Sequence, residues 1–253
     1  MEHERIGEEG YNNNGSLMRI VAYRKSDDID IYFPEYDWTR YNCKYINFKH
    51  GKVKCPYEPR YYGKGYLGEG DHKIKEDGKC TKCYRTWHHM LERCYDEKHR
   101  DKYPTYADCY MNDEWLNYQN FADWFDENYY EVDDELMCID KDILCKGNRE
   151  YGPDTCVFTP ENINLLFMKS DKIRGNYPIG VYVDKRRGKY VAKCQDGYSN
   201  VKYIGQFDTP EEAFEAYKEE KEFIIKLFAE AYKEDIPEEL YEALYDYEIE
   251  IDD

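Results

Sequence analysis

Apolar residues alternate with polar ones in the first part of the chain, which is typical of strands. Residues 17–23 and 29–33 are short β-branched and aromatic runs bounded by turn residues. A further strand is expected across residues 41–48, before Pro56 interrupts regular structure. We therefore predict a small β module over residues 5–60.

The spacing of apolar residues then becomes helical. Residues 61–81 are rich in glycine and charge, which favours a linker. A helix is predicted where four apolar residues follow at i, i+3, i+4 and i+7: Trp87, Met90, Leu91 and Cys94. A second helix is expected over residues 115–125. A short strand over residues 136–139, a polar loop, and a short helix after Pro160 complete this region.

Alternation returns near the C-terminus, in residues 179–183, 189–194 and 201–207. The pairs Arg187-Gly188 and Asp196-Gly197 are typical hairpin turns, so these runs predict a three-stranded antiparallel sheet. A helix follows at once, because Thr209, Pro210 and Glu212 have the spacing of a capping box with proline in the first turn. A lone small sheet is marginally stable, so this helix is expected to pack across it.

These elements predict an α+β protein built from several modules. Its parts are a small N-terminal β module (5–60), a linker (61–81), a central domain (82–168), a C-terminal three-stranded antiparallel sheet packed on one helix (172–234), and an acidic tail (235–253).

The charge of the chain is unevenly distributed. The formal net charge is −18, which taken as an average argues against a nucleic-acid partner. Residues 108–135 and 234–253 each hold ten Asp and Glu and no Lys or Arg, so the acidity is local. Residues 172–206 hold eight Lys and Arg against Asp184 and Asp196. The predicted C-terminal sheet is therefore basic, a property that suits the DNA major groove.

Several classes of protein are disfavoured by the composition. The chain lacks an apolar run of the roughly 20 residues that a membrane helix needs. The start Met1-Glu2-His3-Glu4-Arg5 has no apolar stretch, so we expect a cytoplasmic protein rather than a secreted one. Ten irregularly spaced cysteines are then expected to be reduced thiols.

The C-terminal segment resembles the Apetala-2/ethylene-response-factor DNA-binding domain over about 60 residues. The likeness lies in Gly180-Val181, Gly188-Lys189-Tyr190-Val191-Ala192, and the string from Ile204 to Ala213 with Gly205-Gln206-Phe207-Asp208-Thr209 and Glu211-Glu212. The resemblance implies that the strands lie in the major groove of double-stranded DNA while the helix backs them. The DNA-contacting residues it implies are Arg174, Lys185, Arg186, Arg187, Lys189, Tyr190, Lys193 and Lys202. Tyr190 stands where the family usually has Trp.

Residues 84–168 resemble HNH-type homing endonucleases of bacteriophages. The likeness lies in Trp87-x-x-Met90-x-x-Arg93-Cys94, then Tyr106, Trp115 and Phe121, then Ile139-Asp140-Lys141-Asp142, Tyr151-x-Pro153-x-x-Cys156 and Thr159-Pro160-Glu161-Asn162. The resemblance implies a ββα fold and a phage protein acting in the cytoplasm of a bacterial host.

The catalytic signature of that family is incomplete here. The resemblance makes Asp140 a ligand of one Mg²⁺ ion and Asn162 or Asn164 its second ligand. Lys141 stands at the position of the general-base histidine, and a lysine with an ordinary pKa near 10.4 cannot accept a proton at neutral pH. Thr155 stands at the position of the central Asn. His88 and His89 on the preceding predicted helix are the alternative source of a base.

The sequence therefore predicts a double-stranded DNA-binding protein of the homing-endonuclease type with a degenerate nuclease centre. Two alternatives stay open. One is an active metal-dependent HNH endonuclease. The other is an acidic phage protein whose acidic segments bind a host nuclease or defence protein.

Two short motifs are given little weight. Cys80 and Cys83 have zinc-knuckle spacing, but no second pair follows, so a zinc site is not expected. Gly63-x-Gly65-x-x-Gly68 mimics a dinucleotide fingerprint but lacks a helix directly after it.

The first module carries Lys44, Lys49, Lys52 and Lys54, which leaves open both an extra nucleic-acid contact and a purely structural role.

Overall fold

A computed structural model describes residues 5–168, 177–198 and 200–251. Contacts divide the chain into two compact units, Met1–Asp126 (unit 1) and Glu127–Asp253 (unit 2). Both contain helices and strands, which confirms the predicted α+β class. The division falls inside the segment 82–168, which the sequence pattern assigns to one domain.

Unit 1 begins with a four-stranded antiparallel sheet in the order β1 (Glu9–Tyr11), β2 (Leu17–Lys25), β3 (Asp28–Phe33) and β4 (Trp38–Cys43). The predicted strands at 17–23 and 29–33 are confirmed as β2 and β3. The inward residues of these strands are fully buried because alternation directs them to one face: Met18, Ile20, Ile29, Ile31 and Phe33.

The strand predicted over residues 41–48 is wrong beyond Cys43. Asn42 has a φ of 55°, which interrupts the regular extended backbone just before β4 ends at Cys43. A short helix follows instead, α1 (Tyr45–Lys49). It buries Phe48 against the sheet, where the ring lies so close to Gly10 that a Cβ there would be 3.4 Å from it.

A buried carboxylate joins the ends of this module. Glu58 is 3% exposed. It accepts hydrogen bonds from the side-chain amides of Asn12 and Asn14, the latter at 2.7 Å, and pairs with Arg60. Asn12 in turn closes the turn before β2 by accepting the backbone N–H of Ser16 at 2.9 Å. The network fixes the turn between β1 and β2 to the chain that leaves the module.

The segment predicted as a linker, 61–81, is packed into unit 1. It contains a two-stranded hairpin, β5 (Lys75–Glu76) and β6 (Lys79–Cys80). A Cβ on Gly65 would lie 2.4 Å from the side chain of Leu91. Glycine therefore allows close approach of this segment to a helix, a role that glycine content alone cannot distinguish from flexibility.

The remaining elements of unit 1 are mostly helical. They are α2 (Lys82–Tyr95), α3 (Glu97–Lys102), β7 (Tyr110–Met111) and α4 (Tyr118–Asn128), which ends just across the boundary. The hydroxyl of Thr81 caps α2 by accepting the N–H of Tyr84 at 3.1 Å. The helical spacing predicted for α2 is confirmed, because Trp87, Met90 and Leu91 are fully buried.

Unit 2 starts with a hairpin and a short helix. Its elements are β8 (Met137–Asp140), β9 (Glu150–Tyr151), β10 (Val157–Pro160) and α5 (Glu161–Leu166). Strands β8 and β10 pair antiparallel, with Asp140 opposite Val157. The short strand and the helix after Pro160 are as predicted.

The C-terminal sheet of unit 2 is antiparallel in the order β11 (Val181–Asp184), β12 (Lys189–Gln195) and β13 (Val201–Phe207). It is followed by α6 (Pro210–Tyr232), which begins with the predicted capping box of Thr209 and Glu212. The three strands, both turns and the helix start are thus confirmed.

The segment predicted as an acidic tail is part of the core. Residues 238–245 form the helix α7 (Glu238–Tyr245), which packs along α6. Leu240 and Leu244 are fully buried and Ile249 is 5% exposed. The carboxylates of the segment occupy the outer side, so its high charge conceals an amphipathic pattern.

Candidate functional site

The C-terminal sheet has one covered face and one open face. Val181, Ala192 and Cys194 are buried under α6. On the opposite face, called the open face below, Lys193 pairs across the strands with Tyr203, which is 57% exposed. The ammonium of Lys193 also lies 6.0 Å from the ring of Tyr182. The open face is therefore a mixed basic and aromatic surface.

Three cations of this sheet are exposed and unneutralised. They are Lys185 and Arg186, in the turn between β11 and β12, and Lys193. None has a carboxylate in ion-pair contact among the described residues. The turn is held in shape because the Oδ1 atom of Asp184 accepts the N–H of Arg186 at 3.0 Å and Gly188 has a φ of 64°.

The other predicted DNA contacts are partly or wholly engaged within the protein. Arg187 lies 3.9 Å from Asp184 and donates to the side chain of Gln206 at 3.2 Å. Lys189 pairs with Asp208, and Lys202 pairs with Glu220 at 2.7 Å. Both of these carboxylates lie outside the basic segment 172–206, so the sequence count overstates its free charge.

Tyr190 does not belong to the open face. It lies opposite Val183 and Phe207 in the sheet and packs against the core beneath α6. Its ring also contacts that of Tyr177, with centroids 5.5 Å apart. Tyr190 is partly buried there, and its contact with DNA stays a prediction. Arg174 lies outside the residues that the structure describes.

Asp140, the predicted metal ligand, is used by its own loop. Its Oδ1 atom accepts the backbone N–H groups of Asp142 at 2.7 Å and of Ile143 at 2.8 Å. Burial raises the pKa of Asp140, and the two N–H groups only partly oppose that effect. The carboxyl thus closes the turn that follows β8.

Lys141 is a buried structural cation. The side chain is 6% exposed. Its ammonium donates to Asp142 at 2.7 Å and to the carbonyl of Asn148 at 2.7 Å. The amide of Asn148 donates back to the carbonyls of Lys141 at 2.9 Å and of Glu150 at 2.7 Å. This cross-bonding fastens the two ends of the loop between β8 and β9.

Thr155 is also engaged in loop structure. Its hydroxyl donates to the carbonyl of Glu150 at 3.0 Å. Asn148, which no sequence motif singles out, makes the side-chain contacts that organise the loop. Only its frequency in turns could have drawn attention to it.

Asn162 and Asn164 are placed differently from each other. The amide of Asn162 lies 3.4 Å from the hydroxyl of Tyr232, which donates to Glu135 at 2.5 Å. Burial, with this hydrogen bond, raises the pKa of Tyr232 to about 12. Asn162 thus links α5 to α6. The side chain of Asn164 is half-buried.

His88 and His89 belong to unit 1, whereas Asp140 belongs to unit 2. His88 lies among aromatic rings, with centroids 5.3 Å from Tyr62 and 5.9 Å from Tyr84. His89 is exposed, and partial desolvation lowers its pKa. The surroundings of His88 are those of a packed helix residue.

The side chains predicted to ligate a metal have part of their hydrogen-bonding capacity used within the protein. Mg²⁺ binds oxygen ligands; the Oδ1 atom of Asp140 is engaged with backbone N–H groups, whereas in Asn162 it is the amide nitrogen that contacts Tyr232. Among described residues, no three His, Cys, Asp or Glu side chains converge as a metal site. Of the two knuckle cysteines, Cys83 is buried, and burial raises the pKa of its thiol to about 12.

The variant Lys141→Ala tests the structural assignment of this lysine. It leaves Asp142 and the Asn148 carbonyl without their donor, so we expect the local free energy of opening to fall by about 1–3 kcal/mol. Hydrogen exchange over residues 137–160 is the measurement. Lys185→Ala removes the same charge from an exposed turn and is expected to leave exchange over residues 137–160 unchanged. Equal exchange in both variants would contradict the assignment.

Comparisons with protein-family models, curated proteins and solved structures gave no match to this chain. Within the described residues, no helix is both long and apolar enough to span a membrane.

Proposed function

We propose that this protein binds double-stranded DNA through the open face of the β11–β13 sheet, in the style of a homing endonuclease whose nuclease centre is degenerate. The main support is that Lys185, Arg186 and Lys193 are exposed and have no ion-pair partner among the described residues, on a sheet whose other face is covered by α6. A helix-backed antiparallel ribbon is one of the shapes that enters the major groove.

The arrangement of charge favours phosphate as the ligand of this face. The three cations lie on a turn and on a central strand, both fixed by hydrogen bonds. Neutralisation of phosphates by such groups releases counterions and drives binding. Glu220 of α6 pairs with Lys202, whereas Lys185, Arg186 and Lys193 have no carboxylate in ion-pair contact among the described residues.

The degenerate centre is supported by the bonding of Lys141. Its ammonium is fixed by Asp142 and by a backbone carbonyl, so it offers no lone pair to a water molecule. A general base is thereby lacking at the position where the HNH family has histidine. The hairpin serves as a scaffold that packs on α5, which in turn contacts α6.

Fluorescence anisotropy with a labelled DNA duplex, at several salt concentrations, tests duplex binding. The triple variant Lys185→Ala, Arg186→Ala, Lys193→Ala is expected to bind about tenfold or more weakly at low salt, with a salt slope smaller by roughly 0.9 for each lost phosphate contact. The matched control Lys73→Ala, Lys75→Ala, Lys79→Ala removes three exposed cations from unit 1. Equal weakening in both triples, or no binding at low salt, would overturn the proposal.

Cleavage is tested separately. Incubation of the protein with duplex DNA and Mg²⁺ or Mn²⁺ is expected to leave the DNA intact. Metal-dependent cleavage that disappears in Asp140→Ala would show an active HNH centre instead.

A further inference from the structure

We propose that unit 1 carries a second nucleic-acid site, formed by residues 40–54, which binds single-stranded nucleic acid. This segment contains five Lys and Arg, together with His50, and no Asp or Glu. It runs from the end of β4 through α1 and belongs to unit 1, whereas the open face belongs to unit 2. The proposal therefore stands independently of duplex binding.

Ion pairing leaves this module with free positive charge. Six carboxylates of the module are paired with cations, and Lys49 is the member of the segment that is so engaged. The pairs are Glu9–Arg19, Asp28–Arg24, Asp30–Arg24, Asp27–Lys25, Glu8–Lys49 and Glu58–Arg60. Arg40, Lys44, Lys52 and Lys54 are all exposed. Within the described part of the chain, none of these four has a carboxylate in ion-pair contact. The surface around residues 40–54 is thus positive although the chain as a whole is acidic.

Buried neighbours hold these cations in place. Val53 is 7% exposed, and Lys52 and Lys54 flank it on an extended stretch, so both point outward. The stretch is anchored because the amide of Asn12 donates to the carbonyl of Val53 at 3.2 Å. Lys44 follows the buried Cys43 directly. A backbone fixed in this way presents phosphate-binding groups with little ordering cost.

An exposed aromatic ring accompanies the charge. Tyr41 is 65% exposed and lies between Arg40 and Asn42, near Lys44 in the chain. An exposed tyrosine in a segment rich in exposed cations is the combination that stacks on bases while lysines and arginines track the backbone. Bases in a duplex are already stacked on one another, whereas those of a single strand are free to stack on the ring. The combination therefore favours a single strand.

Anisotropy of a labelled single-stranded oligonucleotide of about 12 nucleotides, a length in the range that small binding modules cover, tests the site on the full chain. The triple variant Lys44→Ala, Lys52→Ala, Lys54→Ala is expected to lower affinity about tenfold and to reduce the salt slope by roughly 0.7 for each lost contact. Tyr41→Ala, with charge unchanged, is expected to lower affinity about fivefold or more. The matched controls are the Lys73, Lys75, Lys79 alanine triple and Tyr110→Ala, which alters another exposed tyrosine of unit 1.

The outcomes are distinct. Wild-type failure to bind the oligonucleotide at low salt, or equal weakening by both lysine triples, would overturn the site. If the Lys44, Lys52, Lys54 triple weakens binding but Tyr41→Ala does not, single-strand stacking is refuted and a simple phosphate contact remains. The Lys185, Arg186, Lys193 triple is expected to reduce duplex binding and leave single-strand binding intact. Failure of that duplex result alone would sink the function proposed for unit 2 and leave this site standing.

Discussion

Glu58→Ala is expected to lower the free energy of unfolding of unit 1 by about 3–5 kcal/mol, the usual effect of removing one partner from a buried ion pair. The carboxylate accepts from Arg60, Asn12 and Asn14 in a site where water cannot replace it. Its loss removes the shared charged acceptor of these three side chains and frees the turn between β1 and β2. The measurement is urea unfolding followed by tryptophan fluorescence, which reports unit 1 alone because Trp38, Trp87, Trp115 and Trp124 all belong to it.

The same carboxylate makes the stability of unit 1 depend on pH. Burial disfavours the charged form, but hydrogen bonds from Arg60, Asn12 and Asn14 outweigh it and lower the pKa of Glu58 below its ordinary value of 4.5. The unfolded chain therefore binds the proton more readily than the folded one. The contribution of Glu58 is complete above about pH 4.5 and is lost as the pH falls further.

Glu35→Ala is the matched control, since it removes an exposed carboxylate from the same module. It is expected to change stability by less than about 0.5 kcal/mol. Glu58→Ala should also flatten the acid limb of the stability curve. Equal stability of the two variants would contradict the buried network.

Gly180→Ala is expected to destabilise unit 2 by about 4 kcal/mol, the sum of a backbone and a packing effect. Gly180 has a φ of 76°, which costs a residue with a Cβ about 1–2 kcal/mol. The new Cβ would also lie 2.1 Å from the ring of Tyr217, which is 6% exposed on α6. Such overpacking costs a further 1–3 kcal/mol or so, because the ring has to move within a packed core.

Gly188→Ala provides the comparison for that prediction. Gly188 also has a positive φ, 64°, but a Cβ added there would have no atom within 4 Å. We expect it to cost only about 1–2 kcal/mol. Hydrogen exchange in β11 and β12 measures both variants. If Gly180→Ala lowers stability no more than Gly188→Ala does, the close contact between Gly180 and Tyr217 of α6 adds no packing cost.

Local patterns determined most elements of the chain. The spacing of Trp87 and Leu91 specified the buried face of α2, and the capping box at Thr209 specified where α6 begins. The glycines at 188 and 197 specified the hairpin turns. These signals act between residues only a few positions apart, so both partners of each interaction can be identified directly in the sequence.

Long-range pairing decided what those patterns left open. Residues 172–206 contain eight cations, but Asp208 and Glu220 from outside that stretch neutralise two of them. The family resemblance placed Tyr190 among the DNA contacts, whereas the strand register turns it to the core. Which cations remain unpaired, and to which side of the sheet a residue points, depend on contacts between residues that are distant in the sequence. These contacts form only when the chain folds.

The sequence by itself determined the α+β class and the three-stranded antiparallel sheet with its helix. The tertiary structure decided that Lys141 is bonded into its loop, that residues 61–81 pack against α2, and that the acidic segment contributes Leu240 and Leu244 to the core. Burial depends on the packing that surrounds a residue rather than on the polarity of that residue alone. For this reason the sequence of the glycine-rich segment indicates a linker and that of the acidic segment indicates a tail, although both are packed in the folded chain.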